Sequence, residues 1–289
     1  MKAIRKSFMK KPGKVIHHAV LIFLLVLVLV PFWLMIINSF KTQTDITNDA
    51  FSLPLINGTS FTTGGYEIAW LYIKNYIWNT VIVAVLEVVG SVFIASFAAY
   101  GFSCFNFKGK NLLFTLFLSF MMVPSILTLA SQYSLVANTF HLRQTFAGVI
   151  LPSIAGGLPV NVFLMSTFFN GIPKSLFEAA DVDGAGYIHR YFKIALPLSA
   201  PILFTVGLST LLGAVNDIIW ARLILFGKEG MYTLGVGVFA VFNSANPGDQ
   251  LPGTVIYAGY CLASIPLVAA FMMTSKQFIK GLTNGAVKM

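Results

Sequence analysis

Residues 178–201, EAADVDGAGYIHRYFKIALPLSAP, form a polar interruption in a very apolar chain. The segment carries charges of both signs and two glycines, Gly184 and Gly186, and it lies between two long apolar runs. A polar segment with helix-forming residues in such a place predicts a short helical structure at the membrane surface.

The composition of the chain indicates that lipid is its main solvent. Its 289 residues are 57% hydrophobic and only 10% charged, whereas soluble domains are roughly 25% charged. The net charge of +9 suits cytoplasmic loops of a membrane protein, where Lys and Arg accumulate. We therefore expect no nucleic-acid partner, and the two scattered cysteines indicate neither a disulfide framework nor a zinc site.

Apolar runs long enough to cross a bilayer recur along the sequence. Backbone polar groups in lipid must be satisfied within the segment, so the runs predict helices, and the absence of period-two alternation argues against a barrel. The sequence thus predicts an all-α integral membrane protein with six transmembrane helices, at residues 19–37, 77–102, 112–133, 146–169, 198–220 and 255–274.

The first run and the charge distribution set the predicted topology. A basic stretch precedes residues 19–37, as in a signal peptide, but no small-x-small cleavage site follows, so we interpret the run as an uncleaved span. With the N-terminus inside, most of the 19 Lys and Arg residues lie in inner segments. Both termini and the polar segment are then expected in the cytoplasm, in a multi-pass protein of the cell membrane.

The polar segment has its own start and stop signals. Ser175 followed by Glu178 fits a capping box, which predicts a short helix beginning near Ser175. Gly184 and Gly186 are expected to end it, and a second helical stretch should follow before Pro197 opens the fifth span. Two interpretations of this helix stay open on the residues alone: an interfacial helix lying on the membrane, or a docking site for a cytoplasmic protein.

The spacing of the segment resembles a known motif. Glu178-Ala179-Ala180, then Gly184, then Ile194 and Leu196-Pro197, is similar at each stated spacing to the EAA loop of ABC importer permeases. The details around Gly184 and Leu196, and the tail at residues 281–288, resemble the second permease subunit of the carbohydrate, maltose-type branch of these binding-protein-dependent systems. Asn216-Asp217 is similar to a Trp-Asn-acid patch of that group, although Val215 replaces the Trp.

This resemblance implies a fold and a coupling site. The fold would be that of a type I ABC importer permease, a single transmembrane domain over residues 1–289 with a cytoplasmic EAA loop at residues 171–197. In the family this loop forms a coupling helix that enters a groove on the ATPase, here within residues 175–186. The implied ATPase-coupling residues are Ser175, Phe177, Glu178, Ala179, Ala180, Asp183, Gly184, Ala185 and Gly186.

The resemblance also implies partners. The chain lacks a G-x-x-x-x-G-K-[ST] phosphate loop, so ATP and Mg²⁺ would be held by a partner and no cofactor is expected on this chain. The implied assembly contains a second permease subunit forming a heterodimer, two cytoplasmic ABC ATPase subunits and an extracytoplasmic solute-binding protein. The substrate would be a sugar. The chain itself is then a transport subunit and not an enzyme.

Polar side chains within or near the spans are candidates for the translocation pathway. An intramembrane carboxylate such as Glu87 is a functional candidate by default, although it can equally bond a neighbouring helix. Trp220 allows the same two interpretations. The histidines are scattered without ligand spacing, so no metal site is expected. The pathway candidates are Gln132, Asn161, Asn216, Asp217 and Asn243.

The function predicted from the sequence is that of a membrane subunit of an ATP-driven sugar or oligosaccharide importer. Two alternatives remain. One is a permease for a non-sugar polar solute, because the EAA loop is broader than sugars. The other is a self-sufficient secondary transporter, which predicts inverted repeats and broken helices near the midplane. A membrane enzyme would need clustered acids or histidines at one face, and the sequence offers few.

Overall fold

The structure is a computed structural model that describes residues 12–55, 59–242 and 251–286. Within these residues the regular elements are all helices. The chain divides into two units, one formed by Met1–Tyr72 with Val241–Ser264 and the other by Ile73–Ala240 with Ile265–Met289. The helices are α1 (Pro12–Asn38), α2 (Gln43–Asn48), α3 (Gly64–Cys104), α4 (Lys110–Ser119), α5 (Ser125–Ser134), α6 (Phe146–Phe169), α7 (Lys174–Val182), α8 (Tyr187–Arg190), α9 (Leu196–Leu198), α10 (Ala200–Asn216), α11 (Ile219–Leu225), α12 (Leu234–Phe242) and α13 (Gly253–Ala286).

Three helices in the described part of the chain are long and apolar enough to cross a membrane. They are Ile16–Asn38 within α1, Gly64–Cys104 and Phe146–Phe169, and the count rises to five if each of two bent helix pairs forms one span. Gly253–Ala269, within α13, is a shorter apolar helix. The predicted all-helical class is confirmed, whereas residues 12–55, 59–242 and 251–286 do not contain six uninterrupted spanning helices.

The predicted span at residues 112–133 is broken in its middle. The axes of Lys110–Met122 and Ser125–Thr139 are inclined by 97° to one another. Val123 and Pro124 have extended backbones, with ψ of 115° and 124°. Proline disfavours the α conformation in the preceding residue and has no N–H to continue the helical ladder. A single straight helix over residues 112–133 is therefore wrong.

The first unit is held together by polar contacts beyond the end of α1. Lys41 is fully buried, its Nζ donates to the Asp49 carbonyl at 3.0 Å, and its own carbonyl accepts from the Thr254 hydroxyl at 3.0 Å. The hydroxyls of Ser39 and Tyr66 lie 2.7 Å apart. Burial lowers the pKa of the Lys41 ammonium below its ordinary value, and the carboxylate of Asp49 offsets part of this effect.

The core of the second unit is built around α6. This helix packs against α4, α10 and α11. Gly148 is required near its start, because a Cβ there would lie 2.2 Å from the Leu142 carbonyl oxygen. Farther along, α6 shares a buried cluster with α3 and the segment before α10, namely Ala95, Ala99, Tyr100, Val162, Met165, Phe169, Ile172, Tyr191, Ala195 and Val206.

The fifth predicted span, residues 198–220, also differs from the structure. The helix pair Tyr187–Leu198 and Ala200–Asn216 bends by 78° at Ser199, so α10 begins one turn later than Pro197 suggests. Pro201, and not Pro197, lies in the first turn of α10, where its missing N–H costs nothing. At the other end α10 stops at Asn216, since Asp217 has an extended backbone with ψ of 94°.

Candidate functional site

The polar segment begins with α7, whose start differs from the predicted capping box. The helix begins at Lys174 with Pro173 as its N-cap, and no side chain accepts a hydrogen bond there. Ser175 and Glu178 therefore lie inside the helix, and their predicted reciprocal capping is wrong. Pro173 replaces it because its φ of −56° is already close to helical while its missing N–H removes one donor that a cap would have to satisfy.

The end of α7 is a glycine-terminated Schellman motif. Gly184 has a φ of +74°, a left-handed conformation that is unfavourable for residues with a Cβ. Its N–H donates to the Asp181 carbonyl at 3.0 Å, and the N–H of Ala185 reaches back to the Ala180 carbonyl at 2.9 Å. The expectation that Gly184 ends the helix is confirmed, and the chain turns sharply here into α8.

Two sides of α7 have different surroundings. Glu178 and Ala179 are exposed, and Val182 is 89% exposed although it is apolar. Phe177 is half-buried and packs on the core cluster of the second unit, with its ring centroid 6.5 Å from that of Tyr100. The exposed side thus offers small and apolar groups to a partner, while Phe177 fixes the helix to its own chain.

Five of the expected coupling residues meet at one concavity of about 500 Å³. Its floor is the turn between α7 and α8, so its position follows from the backbone reversal at Gly184. The lining carries an acid as well as basic groups, and half of its residues are Gly or Ala. The lining residues are Ala180, Asp183, Gly184, Ala185, Gly186, His189, Lys193 and Ile194.

An aromatic anchor, formed by Tyr100, Phe105, Tyr187 and Tyr191, attaches the segment to α3. Tyr191 is fully buried and lies in a π-helical turn, Tyr191–Ala195. Its hydroxyl is 2.7 Å from that of Ser96. The Tyr100 hydroxyl donates to the Tyr187 carbonyl at 3.2 Å, and the Phe105 and Tyr187 rings meet edge to face at 5.0 Å. Tyr191 and Tyr100 are buried, whereas Tyr187 is exposed, and aromatic pairs of this kind favour defined edge-to-face geometries.

The predicted pathway residues are spread over several helices. Gln132 lies on α5 and is half-buried, and Asn161 on α6 is buried. Asn216 donates to the Leu212 carbonyl of its own helix at 2.7 Å, and Asp217 accepts from the Trp220 backbone N–H at 3.1 Å. The last two thus stabilise the α10–α11 turn. Asn243 lies outside the described residues.

Two further candidates lie between packed helices. The buried Trp220 indole donates to the Gly148 carbonyl of α6 at 3.1 Å. Glu87 of α3 is 3% exposed, and its Oε1 has no hydrogen-bond partner among the described residues. The Trp220 contact fits the helix-packing interpretation of that residue, whereas both interpretations of Glu87 stay open. In the described part of the chain no group of three or more His, Cys, Asp or Glu residues could hold a metal ion.

The sequence reasoning missed the residues that fix the segment to the spans. These include Ser96, Tyr100 and Tyr191 of the contacts above, and the ion pair between Asp181 and Arg190. The available signal was the density of aromatic residues at 97–107 and 187–192. Such density at the ends of two apolar runs is typical of an interfacial belt, which made a specific contact between them hard to recognise.

Comparison with known proteins places this arrangement in a family. Residues 91–275 match the model for "Binding-protein-dependent transport system inner membrane component". The chain is 33% identical over 265 residues to the probable ABC transporter permease protein YurM of Bacillus subtilis (strain 168), covering 91% of this chain and 85% of that protein. It is 35% identical over 217 residues to the galactooligosaccharides transport system permease protein GanQ of the same strain, covering 75% of each.

A solved structure has the same fold. The crystal structure of a bacterial ABC transporter involved in the import of the acidic polysaccharide alginate contains a chain that superposes with a TM-score of 0.78, at 20% identity, covering 91% of this chain and 95% of that one. The family match includes α6, the Schellman turn and the aromatic anchor. The chain therefore belongs to the binding-protein-dependent transport system inner membrane components, the multi-pass permease subunits of ABC transporters in the inner membrane.

Proposed function

We propose that this chain is one permease subunit of an ABC importer for a sugar or oligosaccharide, driven through α7 by a partner ATPase. The observation that carries the proposal is the position of α7. Its exposed side presents Glu178, Ala179 and Val182 outward, while Phe177 packs on the core of the second unit. A short helix with one face free and the other attached suits the transfer of motion from a docked protein.

The energy source follows from the family. ATP hydrolysis in these transporters belongs to a separate subunit, and the permease carries no cofactor itself. The proposed assembly contains two such ATPases, a second permease that forms a heterodimer with this one, and an external solute-binding protein. ATP-driven closure of the ATPases would move α7, and the spans would rock between inward-facing and outward-facing states, a two-state change biased by a ligand.

We further propose one permease domain over residues 1–289, with six membrane passages and both termini in the cytoplasm. The bias of Lys and Arg supports this orientation. Each bent pair then counts as one passage, and the apolar start of α13 supplies the sixth. The breaks at Pro124 and Ser199 would lie against protein or water, because unsatisfied backbone groups are costly in lipid.

Carbohydrate is the proposed substrate class because relatives bear such names. GanQ is named for galactooligosaccharides, and the aligned relative from Thermococcus litoralis is named for trehalose and maltose. A non-sugar polar solute remains the alternative, since the features of the coupling segment do not depend on what is carried. A self-sufficient secondary transporter is no longer retained, because the family couples transport to an ABC ATPase.

Purification of the native assembly tests the proposal. The chain is tagged, extracted gently from native membranes, and its partners are identified by mass spectrometry. We expect an ATPase with a phosphate-loop motif and a second multi-pass permease. Recovery of the chain alone, active without ATP, would contradict the proposal. Uptake assays on a strain lacking the gene then separate the substrate classes, since loss of growth on an oligosaccharide with normal uptake of other solutes identifies a sugar permease.

A further inference from the structure

Arg190 is a buried cation at the end of α8. The residue is only 8% exposed, and among the described residues its Nε has no hydrogen-bond partner. Burying a guanidinium is costly unless a carboxylate and a packing surface compensate for the lost water. The surroundings of Arg190 therefore reveal what holds it in place.

Two contacts compensate for the burial of Arg190. Its Nη1 forms an ion pair with the Asp181 carboxylate, and its Cζ lies 4.5 Å from the centroid of the Tyr187 ring. Asp181 belongs to α7, whereas Tyr187 and Arg190 belong to α8. The charge contact thus joins α8 to α7, and the cation–π contact holds the guanidinium against its own helix.

The covalent connection between α7 and α8 is weak by comparison. It consists of residues 183–186 and includes Gly184 and Gly186, which have no side chains to resist rotation. A displacement applied to α7 would be absorbed by this turn if nothing else crossed it. The ion pair does cross it, and it closes a loop between Asp181 and Arg190 that includes both glycines.

The other end of α8, at Tyr187, contacts the end of α3 and the residue after it. Tyr187, on which Arg190 packs, accepts a hydrogen bond from the Tyr100 hydroxyl through its carbonyl and meets Phe105 edge to face. A continuous path of contacts therefore runs from Asp181 through Arg190 and Tyr187 to the cytoplasmic end of α3. The first and last steps join different segments of the second unit, and the middle step lies within α8.

We infer that Arg190 is a positioning residue for ATP coupling: it makes α7 and the cytoplasmic end of α3 move as one body. The inference rests on the proposed coupling role of α7 and adds to it the residues that transmit the motion. Arg190 would not contact ATP or the solute. It acts by keeping the glycine turn from absorbing the displacement of α7.

The test compares Arg190→Gln with wild type in the assembly purified from native membranes. Hydrogen exchange is measured at residues 174–183 of α7 and residues 95–104 of α3, with and without Mg-ATP plus vanadate. Lys108→Gln is the matched control, because it removes an exposed cation from the loop that follows α3. ATPase activity of each assembly is recorded in parallel.

In wild type and in Lys108→Gln we expect nucleotide to change the exchange of both segments. In Arg190→Gln the ATPase should still copurify and hydrolyse ATP, and α7 should still respond. The response of residues 95–104 should be largely lost. Retention of the full response in Arg190→Gln, with normal assembly, would overturn the inference.

A second pair of variants covers a folding failure of Arg190→Gln. The Asp181 side chain is 56% exposed, so Asp181→Asn removes the ion pair with little change in packing. It should weaken the response of residues 95–104 in the same direction, and Asp181→Glu should restore it. A normal response in Asp181→Asn, or no rescue by Asp181→Glu, counts against the role of the pair.

Failure of the proposed function gives a different pattern. If wild type recovers no ATPase and shows no nucleotide response, the coupling role of α7 is refuted. The purified chain alone then decides whether Arg190 positions α7. Exchange at residues 174–183 should be severalfold faster in Arg190→Gln and Asp181→Asn than in wild type and Lys108→Gln. Equal rates would reject the positioning role as well.

Discussion

The hydroxyl groups of Ser96 and Tyr191 lie 2.7 Å apart although 95 residues separate them in the chain. The Ser96 hydroxyl also donates to the Phe93 carbonyl at 3.0 Å, so its orientation is fixed by its own helix. The contact is buried within the aromatic anchor. It joins the C-terminal part of α3 to the polar segment at residues 178–201.

Loss of this contact should lower stability modestly. Tyr191→Phe removes one buried hydrogen bond and should reduce the free energy of unfolding by about 1 kcal/mol, while Tyr191→Ala also opens a cavity and should cost about 3–5 kcal/mol. Unfolding of the purified chain in detergent measures both. Tyr72→Phe, at an exposed tyrosine, is the control, and an equal loss in that variant would show that the Ser96 contact contributes nothing.

Gly184 has space for a side chain, but most residues with a side chain should destabilise its backbone conformation. A Cβ at this position would meet nothing within 4 Å, so the cost comes from the φ of +74°. Gly184→Ala should destabilise the end of α7 by about 1–2 kcal/mol, and Gly184→Asn by less because Asn accepts this conformation. Hydrogen exchange at residues 180–185 reports the change. Gly186→Ala, where φ is negative, should leave that exchange unaltered.

Glu178→Ala should separate a capping role from a docking role. Because α7 begins at Lys174 and Glu178 is exposed within it, the substitution should leave the helix intact. If Glu178 contributes to docking, binding of the ATPase should weaken by about 1–2 kcal/mol, or roughly tenfold. Quantitative copurification measures this effect. Glu229→Ala, at an exposed acid far along the chain from α7, should bind normally, and normal binding by Glu178→Ala would exclude the carboxylate from the interface.

Glu87 should matter for packing between α3 and α6. Glu87→Ala leaves a cavity at this buried position, so we expect a loss of about 2–4 kcal/mol. Glu87→Gln keeps the shape of the side chain and removes a carboxylate that is costly to bury, so it should lose much less. Glu67→Ala, at an exposed position of the same helix, should change stability by no more than about 0.5 kcal/mol. Equal losses in the Ala and Gln variants would point to a role of the carboxylate beyond packing.

Lys41 should make the free energy of unfolding depend on pH in the alkaline range. Its pKa is lowered in the folded chain, with burial as the first cause, so the unfolded chain binds this proton more tightly. The free energy of unfolding should then rise as the pH increases from the folded-state pKa towards the ordinary value of 10.5. Lys41→Met should lack this rise, and Lys74→Met, at an exposed lysine, should keep it. A wild-type curve parallel to that of Lys41→Met would contradict the assignment.

The sequence predicted the helices whose limits depend on local signals. Residues 146–169 match α6 (Phe146–Phe169) because Thr145 caps the helix, accepting from the Gly148 N–H, and the polar residues after Phe169 end it. Gly184 was identified as a helix terminator because its conformational freedom is intrinsic. These features are decided within a few residues of the chain.

Other features depend on distant partners. The π-helical turn at Tyr191 packs on α3 and α6 in the buried cluster, and Ser199 at the bend is fully buried, which periodicity does not report. The start of α3 at Gly64 was missed because Glu67 and Lys74 interrupt the apolar run, although both are tolerated on an exposed helix face. The capping box failed because Pro173 offered a simpler start for α7.

The aromatic anchor has a consequence for recombination between related permeases. The polar segment carries only half of these contacts, since Ser96 and Tyr100 stand on α3 while Tyr187 and Tyr191 stand in the segment. A chimera that receives residues 174–195 from a relative with other side chains at these positions would lose the contacts. Exchange of the segment between transporters therefore requires residues 95–105, the end of α3 and the residue after it, to be exchanged with it, as one transplantable block.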